Sequence, residues 1–252
     1  MNGKQPMGKA KTNEMYQPIV DIRRADERFH TQAGWLDSHH SFSFGYHQDP
    51  ENTGHGLVLV NNDDIVKPGT GFSTHPHRDM EIVTWVLDGE LEHKDSEGNK
   101  GIIYPGLAQR MSAGTGIWHS EMNPKNDREV HFIQMWVPPD TERIKPGYQQ
   151  LDINGQIDRG GLVPIASGQG HDAAISIRQK GAVLWGGRLK PGESVRIPDA
   201  HFVHLFIAKG AADLEGAEAL AAGDAVRLTA ADARQLTADA RTGAEVLIWE
   251  TD

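Results

Sequence analysis

The chain of 252 residues contains no cysteine. This absence excludes disulfides, thiolate metal sites and cysteine nucleophiles, and it is compatible with a reducing compartment. The sequence also has no run of about 18 apolar residues, so it offers no candidate transmembrane helix. Basic residues are outnumbered by acidic ones. The formal net charge of −10 argues against nucleic acid as a direct partner, because a nucleic-acid binder needs a basic face.

Residues 1–18 are polar and contain no hydrophobic run, so they do not form a secretory signal. We predict that they are a disordered extension. With neither a secretory signal nor a membrane segment in the sequence, we expect the protein to be cytoplasmic.

Long amphipathic helical patterns are also missing. Instead, 28 glycines and 13 prolines separate short runs with period-2 alternation or a β-rich composition. The alanine-rich stretch 218–239 is interrupted by Gly223 and favours a turn followed by a strand. An all-β sandwich or barrel is therefore predicted. The clearest predicted strands are 56–60, 81–87, 130–137, 174–178, 182–189, 202–208 and 245–250.

An internal repeat predicts two similar units. A Lys-Pro-Gly run occurs at 67–69 and again at 190–192, and each begins a segment with the same order of turns and strands. The boundary is expected within the turn-rich stretch 138–161. We predict an N-terminal barrel over 19–145 and a C-terminal barrel over 146–252.

Two short patterns of polar residues indicate a metal site. His75 and His77 are separated by one residue, as are His119 and Glu121. On a strand, residues i and i+2 point to the same face, so two such pairs on neighbouring strands could supply four ligands to one ion. Three imidazoles and one carboxylate suit iron, nickel, copper, manganese, cobalt or zinc. A metal would also satisfy histidines that are otherwise costly to bury.

Longer motifs around these residues resemble known families. Gly69-x5-His75-x-His77-x3-Glu81-x7-Gly89 and Gly114-x-Gly116-x2-His119-x3-Asn123 resemble the two cupin motifs, although Gly114 stands where many cupins have proline. More specifically, the chain resembles the pirin family from about residue 19 to residue 252, closely in the first half and loosely in the second. The segments that carry this resemblance are 34–44, 74–81 and 111–121.

The resemblance implies an all-β bicupin, with two tandem jelly-roll-like barrels and one divalent metal ion, usually iron, in the first barrel. Its ligands would be His75, His77, His119 and Glu121. Many other cupins use the position of Glu81 as the carboxylate ligand. Period-2 spacing favours Glu121, because Glu81 shares the face of His77 only if the strand continues unbroken. Glu121 is also the expected catalytic base, with Glu81 as the alternative.

The second barrel is expected to lack a metal. Aligning the repeats places Pro198, Ala200, Leu236 and Ala238 where the four ligands stand in the first half. His201 and His204 lie nearby, but their spacing of three puts them on opposite strand faces.

The resemblance implies a quercetin 2,3-dioxygenase-like activity, in which O2 opens a flavonol ring with loss of carbon monoxide. The partners would then be a small aromatic substrate and O2. The alternative is a metal- or redox-sensing regulatory protein that acts through a protein partner, as is implied by the likeness to mammalian pirin. A purely structural metal is a third possibility.

Several other aromatic and histidine residues are expected to have ordinary structural roles. We predict that Phe42, Phe44 and Tyr46 share one buried strand face. Trp85, Phe132 and Trp136 are expected in the core rather than in a pocket. His93 and His131 are left out of the predicted site.

Overall fold

The computed structural model describes residues 18–252, and this part of the chain is built almost entirely of strands. The extension expected over residues 1–18 lies outside the described residues, except for Pro18. The only helical elements in the described part are one 3-10 turn (Ala25–Glu27) and a short helix α1 (Asn154–Ile157). The strands are β1 (Ile19–Arg23), β2 (Phe29–Gln32), β3 (Leu36–His40), β4 (Val60–Val66), β5 (Gly71–His77), β6 (Glu81–Asp88), β7 (Leu91–Asp95), β8 (Lys100–Ile103), β9 (Leu107–Ser112), β10 (Ile117–Met122), β11 (Val130–Val137), β12 (Gly147–Asp152), β13 (Val163–Ser167), β14 (Ile175–Ser176), β15 (Ala182–Leu189), β16 (Ser194–Arg196), β17 (Phe202–Leu214), β18 (Ala219–Ala221), β19 (Ala225–Thr229), β20 (Gln235–Ala238) and β21 (Ala244–Thr251).

These strands form two cupin-like domains, as the repeat predicted, although the sheets are not closed barrels. The first domain combines a seven-stranded sheet, in the order β12-β9-β6-β11-β4-β3-β2, with a four-stranded sheet, β5-β10-β7-β8. The second domain is built on the order β1-β19-β17-β21-β15-β13-β14. The long strand β17 also pairs with β18 and β20, and β20 pairs with β16.

Strand pairing crosses the sequence boundary expected at 145/146 in both directions. β1 pairs with β19 of the second domain, over Ile19–Arg23. Conversely, β12 lies beyond the boundary and pairs with β9 of the first domain. Each domain therefore contributes one edge strand to the sheet of the other, a non-local pairing that local composition does not encode.

Most of the predicted strands are present, with differences at their ends. The predictions 130–137 and 182–189 match β11 and β15, and the alanine-rich stretch folds as β18, β19 and β20 rather than as a helix. The prediction at 56–60 was wrong, because Gly56 has a φ of 55° in a turn and β4 begins only at Val60. The prediction at 202–208 was too short, since β17 continues to Leu214.

The two domains share an apolar core. Trp85 and Ile133 of the seven-stranded sheet pack in one buried cluster with Phe206 and Trp249 of the second domain. Trp85 also donates a hydrogen bond from its Nε1 to Glu245, at 2.7 Å. Trp85 is thus a core residue, as predicted, and its polar atom is satisfied across the interface.

The second domain has an apolar interior at the positions that the repeat aligns with the ligands. Leu236 and Ala238 are buried in its core, and Ala200 packs against them. The expectation that this domain holds no metal stays a prediction. None of the helices described within residues 18–252 is long and apolar enough to cross a membrane.

Candidate metal centre

Three histidines meet on the four-stranded sheet. β5 and β10 are antiparallel neighbours, and their register places His119 directly opposite His75. His77 lies two residues further along β5 and faces the same way, as period-2 spacing predicts. The ring centroids are 4.4 Å apart for His75 and His119, and 4.9 Å apart for the other two pairs. One nitrogen of each ring lies within 4.8 Å of the others, which is close enough for all three to share one ion.

The ring nitrogens are suited to binding a metal. Nε2 of His77 and both ring nitrogens of His119 are buried without a hydrogen-bond partner. His75 donates from Nδ1 to the carbonyl of Ser73 at 2.8 Å, which leaves its Nε2 with a free lone pair. Buried polar atoms without partners are rare in proteins, so these orphaned nitrogens fit an ion that the three imidazoles would coordinate.

His77 and His119 are held in their neutral form. Burial, followed by the proximity of His119 and His75, lowers the pKa of His77 to about 4. Burial, followed by the proximity of His75 and His93, lowers the pKa of His119 to about 3. Both imidazoles are therefore uncharged near neutral pH, which is the form that coordinates a metal.

Glu121 lies beside this cluster rather than within it. The ladder shifts between His119 and Glu121, so Glu121 pairs with Phe72 on β5. The backbones are very close here: a Cβ on Gly71 would lie 2.2 Å from the carbonyl oxygen of Glu121, which only glycine avoids. The Glu121 side chain is buried and lines the same cavity as His75 and His77, but its carboxylate is outside the 4.8 Å cluster.

Glu81 lies away from the histidines. Asp79, with a φ of 47°, breaks the strand after His77, and Glu81 begins β6 in the other sheet. Its carboxylate accepts hydrogen bonds from the hydroxyl of Ser112 at 2.9 Å and from the backbone N–H of Arg178 at 3.0 Å. Because Arg178 belongs to the second domain, Glu81 joins the two domains, and it is not among the residues that line the cavity beside the histidines.

A cavity of about 560 Å³ opens between the two sheets beside the histidines. One part of its wall is apolar and the other part is polar. Trp136 belongs to this wall and also packs, partly buried, against a core cluster that contains Ile82 and Met111, so the prediction that it lies in the core rather than in a pocket is only partly confirmed. The apolar side chains are Trp35, Leu36, Phe44, Phe72 and Trp136, and the polar ones include Ser38, His40, Asn62, Asp64 and Gln134.

The aromatic residues before β4 do not share one buried face. Phe42 is buried in the core, as predicted. Phe44, however, lines the cavity, and Tyr46 is fully exposed at its edge. The prediction failed for these two residues because the segment after His40 leaves the sheet and turns, with Gly45 at a φ of 56°.

Asp64 is a buried carboxyl group on the cavity wall. Ser38 donates a hydrogen bond to it from the neighbouring strand. Burial raises the pKa of Asp64 to about 7, against the effect of this hydrogen bond, and the nearby charges of Asp63 and Glu121 add to the rise. A carboxyl group that is partly protonated at neutral pH can both donate and accept a hydrogen bond.

His93 is a neighbour of the site that the sequence analysis left out. It is fully buried on β7, its ring lies 5.3 Å from that of His119, and its Nε2 is 3.0 Å from the carboxylate of Asp95. Asp95 is two residues from His93, so the same i, i+2 signal was present in the sequence. His131, by contrast, faces Asp63 at 2.6 Å on the other side of the sheet and is not part of the cavity wall.

Two cupin-like domains, with a histidine cluster beside a cavity in the first, define a bicupin. Family comparisons agree: the pirin profile matches residues 22–137 and the quercetinase C-terminal cupin domain matches residues 164–251. The chain belongs to the pirin family.

Individual relatives cover nearly the whole chain. A Mycobacterium tuberculosis protein, provisionally named a quercetin 2,3-dioxygenase, is 60% identical over 92% of this chain and 94% of its own length. The Escherichia coli K12 protein named quercetin 2,3-dioxygenase is 36% identical over 92% of this chain and 98% of its own. The crystal structure of the bacterial pirin YhhW from Escherichia coli in complex with nickel(II) superposes with a TM-score of 0.84, at 35% identity, covering 92% of this chain and 99% of that one.

Proposed function

We propose that this protein is a metal-dependent dioxygenase of the pirin type, which uses O2 to open the ring of a flavonol such as quercetin with loss of carbon monoxide. The observation that carries the proposal is the cluster of three histidines with nitrogens free to bind an ion, set beside a cavity with aromatic walls. The names of the relatives support the same reaction class.

His75, His77 and His119 would hold one divalent metal ion, with Glu121 as the fourth protein ligand. When bound, the ion supplies Lewis acidity toward a substrate hydroxyl and a centre for chemistry with O2. Iron is the metal that we propose. Nickel is present in the YhhW complex, and this donor set also accepts copper, manganese, cobalt and zinc.

The cavity would bind a flat hydroxylated aromatic molecule. Trp35, Phe72 and Trp136 offer aromatic surfaces on its wall. Glu121 is the acid–base group that we assign, because its carboxylate faces the cavity and can accept the proton of a substrate hydroxyl. The pair Ser38–Asp64 would hydrogen-bond a second hydroxyl of the substrate. The aromatic part of the wall would shield one face of the reacting ring from bulk water.

The test is metal analysis of anaerobically purified protein, followed by a quercetin assay that monitors O2 consumption and carbon monoxide. Activity should rise in proportion to bound metal, and His75→Ala should abolish both metal binding and turnover. His201→Ala is the matched control, because His201 is an exposed histidine in the second domain. The dioxygenase proposal would be overturned if the protein bound metal but none of the six metals supported turnover. Unfolding on chelation would instead indicate a structural metal.

A further inference from the structure

A second group of metal-ligating side chains lies on the hairpin of β2 and β3. His30 and His39 are directly opposite each other in this antiparallel pair, and Asp37 is two residues before His39 on the same strand face. The alternate residues Thr31, Ser38 and His40 line the cavity. His30, Asp37 and His39 therefore face outward, on the other side of the hairpin.

The polar ends of the three side chains lie close together. The rings of His30 and His39 are stacked with centroids 4.3 Å apart and planes within 7° of parallel. Nε2 of His30 is 2.9 Å, and Nδ1 of His39 is 3.6 Å, from the same oxygen of Asp37. One ligating atom of each side chain lies within 4.8 Å of the others. Asp37 also accepts a hydrogen bond from Nε2 of Gln32 at 3.4 Å, on its other oxygen, whereas the ring of His39 stacks on His30 and makes no short hydrogen bond to Asp37.

We propose that His30, Asp37 and His39 form a second binding site for a divalent transition-metal ion such as zinc or nickel, separate from the cavity histidines. Two imidazoles and one carboxylate are a common donor set for such ions, and the strand pairing places the three residues side by side before binding, so that rotation of the stacked rings would bring their nitrogens to one ion. Their exposed fractions of 43%, 38% and 35% give an ion direct access from solvent.

Water would complete the coordination shell, because three protein ligands leave a tetrahedral position open. The site would therefore exchange its ion more readily than the buried cluster. One chain would then bind two equivalents of metal.

The test is a calorimetric titration of untagged, chelator-treated full-length protein with zinc alone, and separately with nickel. Wild type should bind two equivalents of unequal affinity. The double variant His30→Ala/His39→Ala should lose the weaker equivalent and keep the tighter one, and His75→Ala/His119→Ala should show the reverse. Asp37→Asn, which preserves the size of the side chain, should weaken only the outer site, and His201→Ala should leave both unchanged.

The proposal is overturned if wild type and the His30→Ala/His39→Ala variant bind the same number of equivalents. Circular dichroism and retention of the tighter equivalent report whether this variant is folded. If it is not, Asp37→Asn decides, because unchanged zinc and nickel binding by that variant also overturns the proposal. A negative quercetin assay would not affect this result, since the readout is metal stoichiometry.

Discussion

Gln134 donates hydrogen bonds from its Nε2 to both carboxylate oxygens of Glu121, at 2.8 and 2.9 Å. The orientation of Gln134 is itself fixed, because its Oε1 accepts a hydrogen bond from Nε1 of Trp136 at 3.1 Å. The chain Trp136–Gln134–Glu121 therefore holds the proposed catalytic carboxylate in one position, and it does so from a strand of the opposite sheet.

We expect Gln134→Glu to impair catalysis although it preserves the shape of the side chain. The substitution removes the amide donor and places a second carboxyl group against Glu121. The turnover number and the metal affinity should fall by roughly 10- to 100-fold, the usual effect of losing a group that orients a metal ligand. The measurement is kcat and KM for quercetin together with metal content. Gln169→Glu, an exposed position, is the control. Equal kinetics in wild type and Gln134→Glu would mean that the hydrogen bonds do not position Glu121.

Substitution of the two candidate carboxylates should separate their roles. Glu121→Gln removes a carboxylate that faces the cavity, so we expect loss of most turnover with a folded protein. Glu81→Gln keeps groups that can hydrogen-bond to Ser112 and Arg178, at the domain interface. It should retain kcat, and its free energy of unfolding should change by about 1–3 kcal/mol or less. Parallel assays of turnover and chemical unfolding test both. A catalytic Glu81 would show the opposite pattern.

The sequence predicted what local periodicity controls. His75, His77 and His119 could be placed on one face because an i, i+2 spacing needs only a strand, and the strands exist. The position of Glu81 depends on the turn at Asp79, where a non-glycine residue adopts a positive φ that no sequence rule requires. The exchange of β1 and β12 between domains is a long-range pairing, so local patterns do not reveal it.

Asp64 should give stability a distinct pH dependence. Its pKa is about 7 in the folded protein, against an ordinary value of 3.8 in the unfolded chain, so between these values the folded state binds more protons than the unfolded state. Its contribution to the free energy of unfolding therefore decreases as pH rises through this window, by at most about 1.4 kcal/mol per pH unit. Asp64→Asn should remove that decrease. The free energy of unfolding of the variant should therefore compare best with that of wild type at pH 8. Denaturant unfolding at pH 5 and pH 8 tests this, with Asp213→Asn, an exposed position, as control. If the free energy of unfolding changed by the same amount between pH 5 and pH 8 in wild type and Asp64→Asn, the raised pKa of Asp64 would be contradicted.

His204 should contribute a pH dependence of the opposite sign. The side chain is fully buried in the second domain, and neither ring nitrogen has a hydrogen-bond partner. Burial, followed by the proximity of Arg227 and His55, lowers its pKa well below 6.5. The folded state therefore keeps His204 neutral, whereas the unfolded state takes up a proton once the pH falls below 6.5, so stability is lost as the pH decreases.

We expect His204→Leu, which needs no hydrogen bond and cannot be charged, to reduce the loss of unfolding free energy between pH 7.5 and pH 5. The comparison is denaturant unfolding of wild type and variant at both pH values in metal-free buffer. His77 and His119 also have lowered pKa values, but they are common to both proteins, so their effect cancels in the difference. His201→Leu, at an exposed position only three residues away, should leave the pH dependence of wild type unchanged. If the His204 variant loses as much stability as wild type on acidification, protonation of this ring does not drive the acid destabilisation.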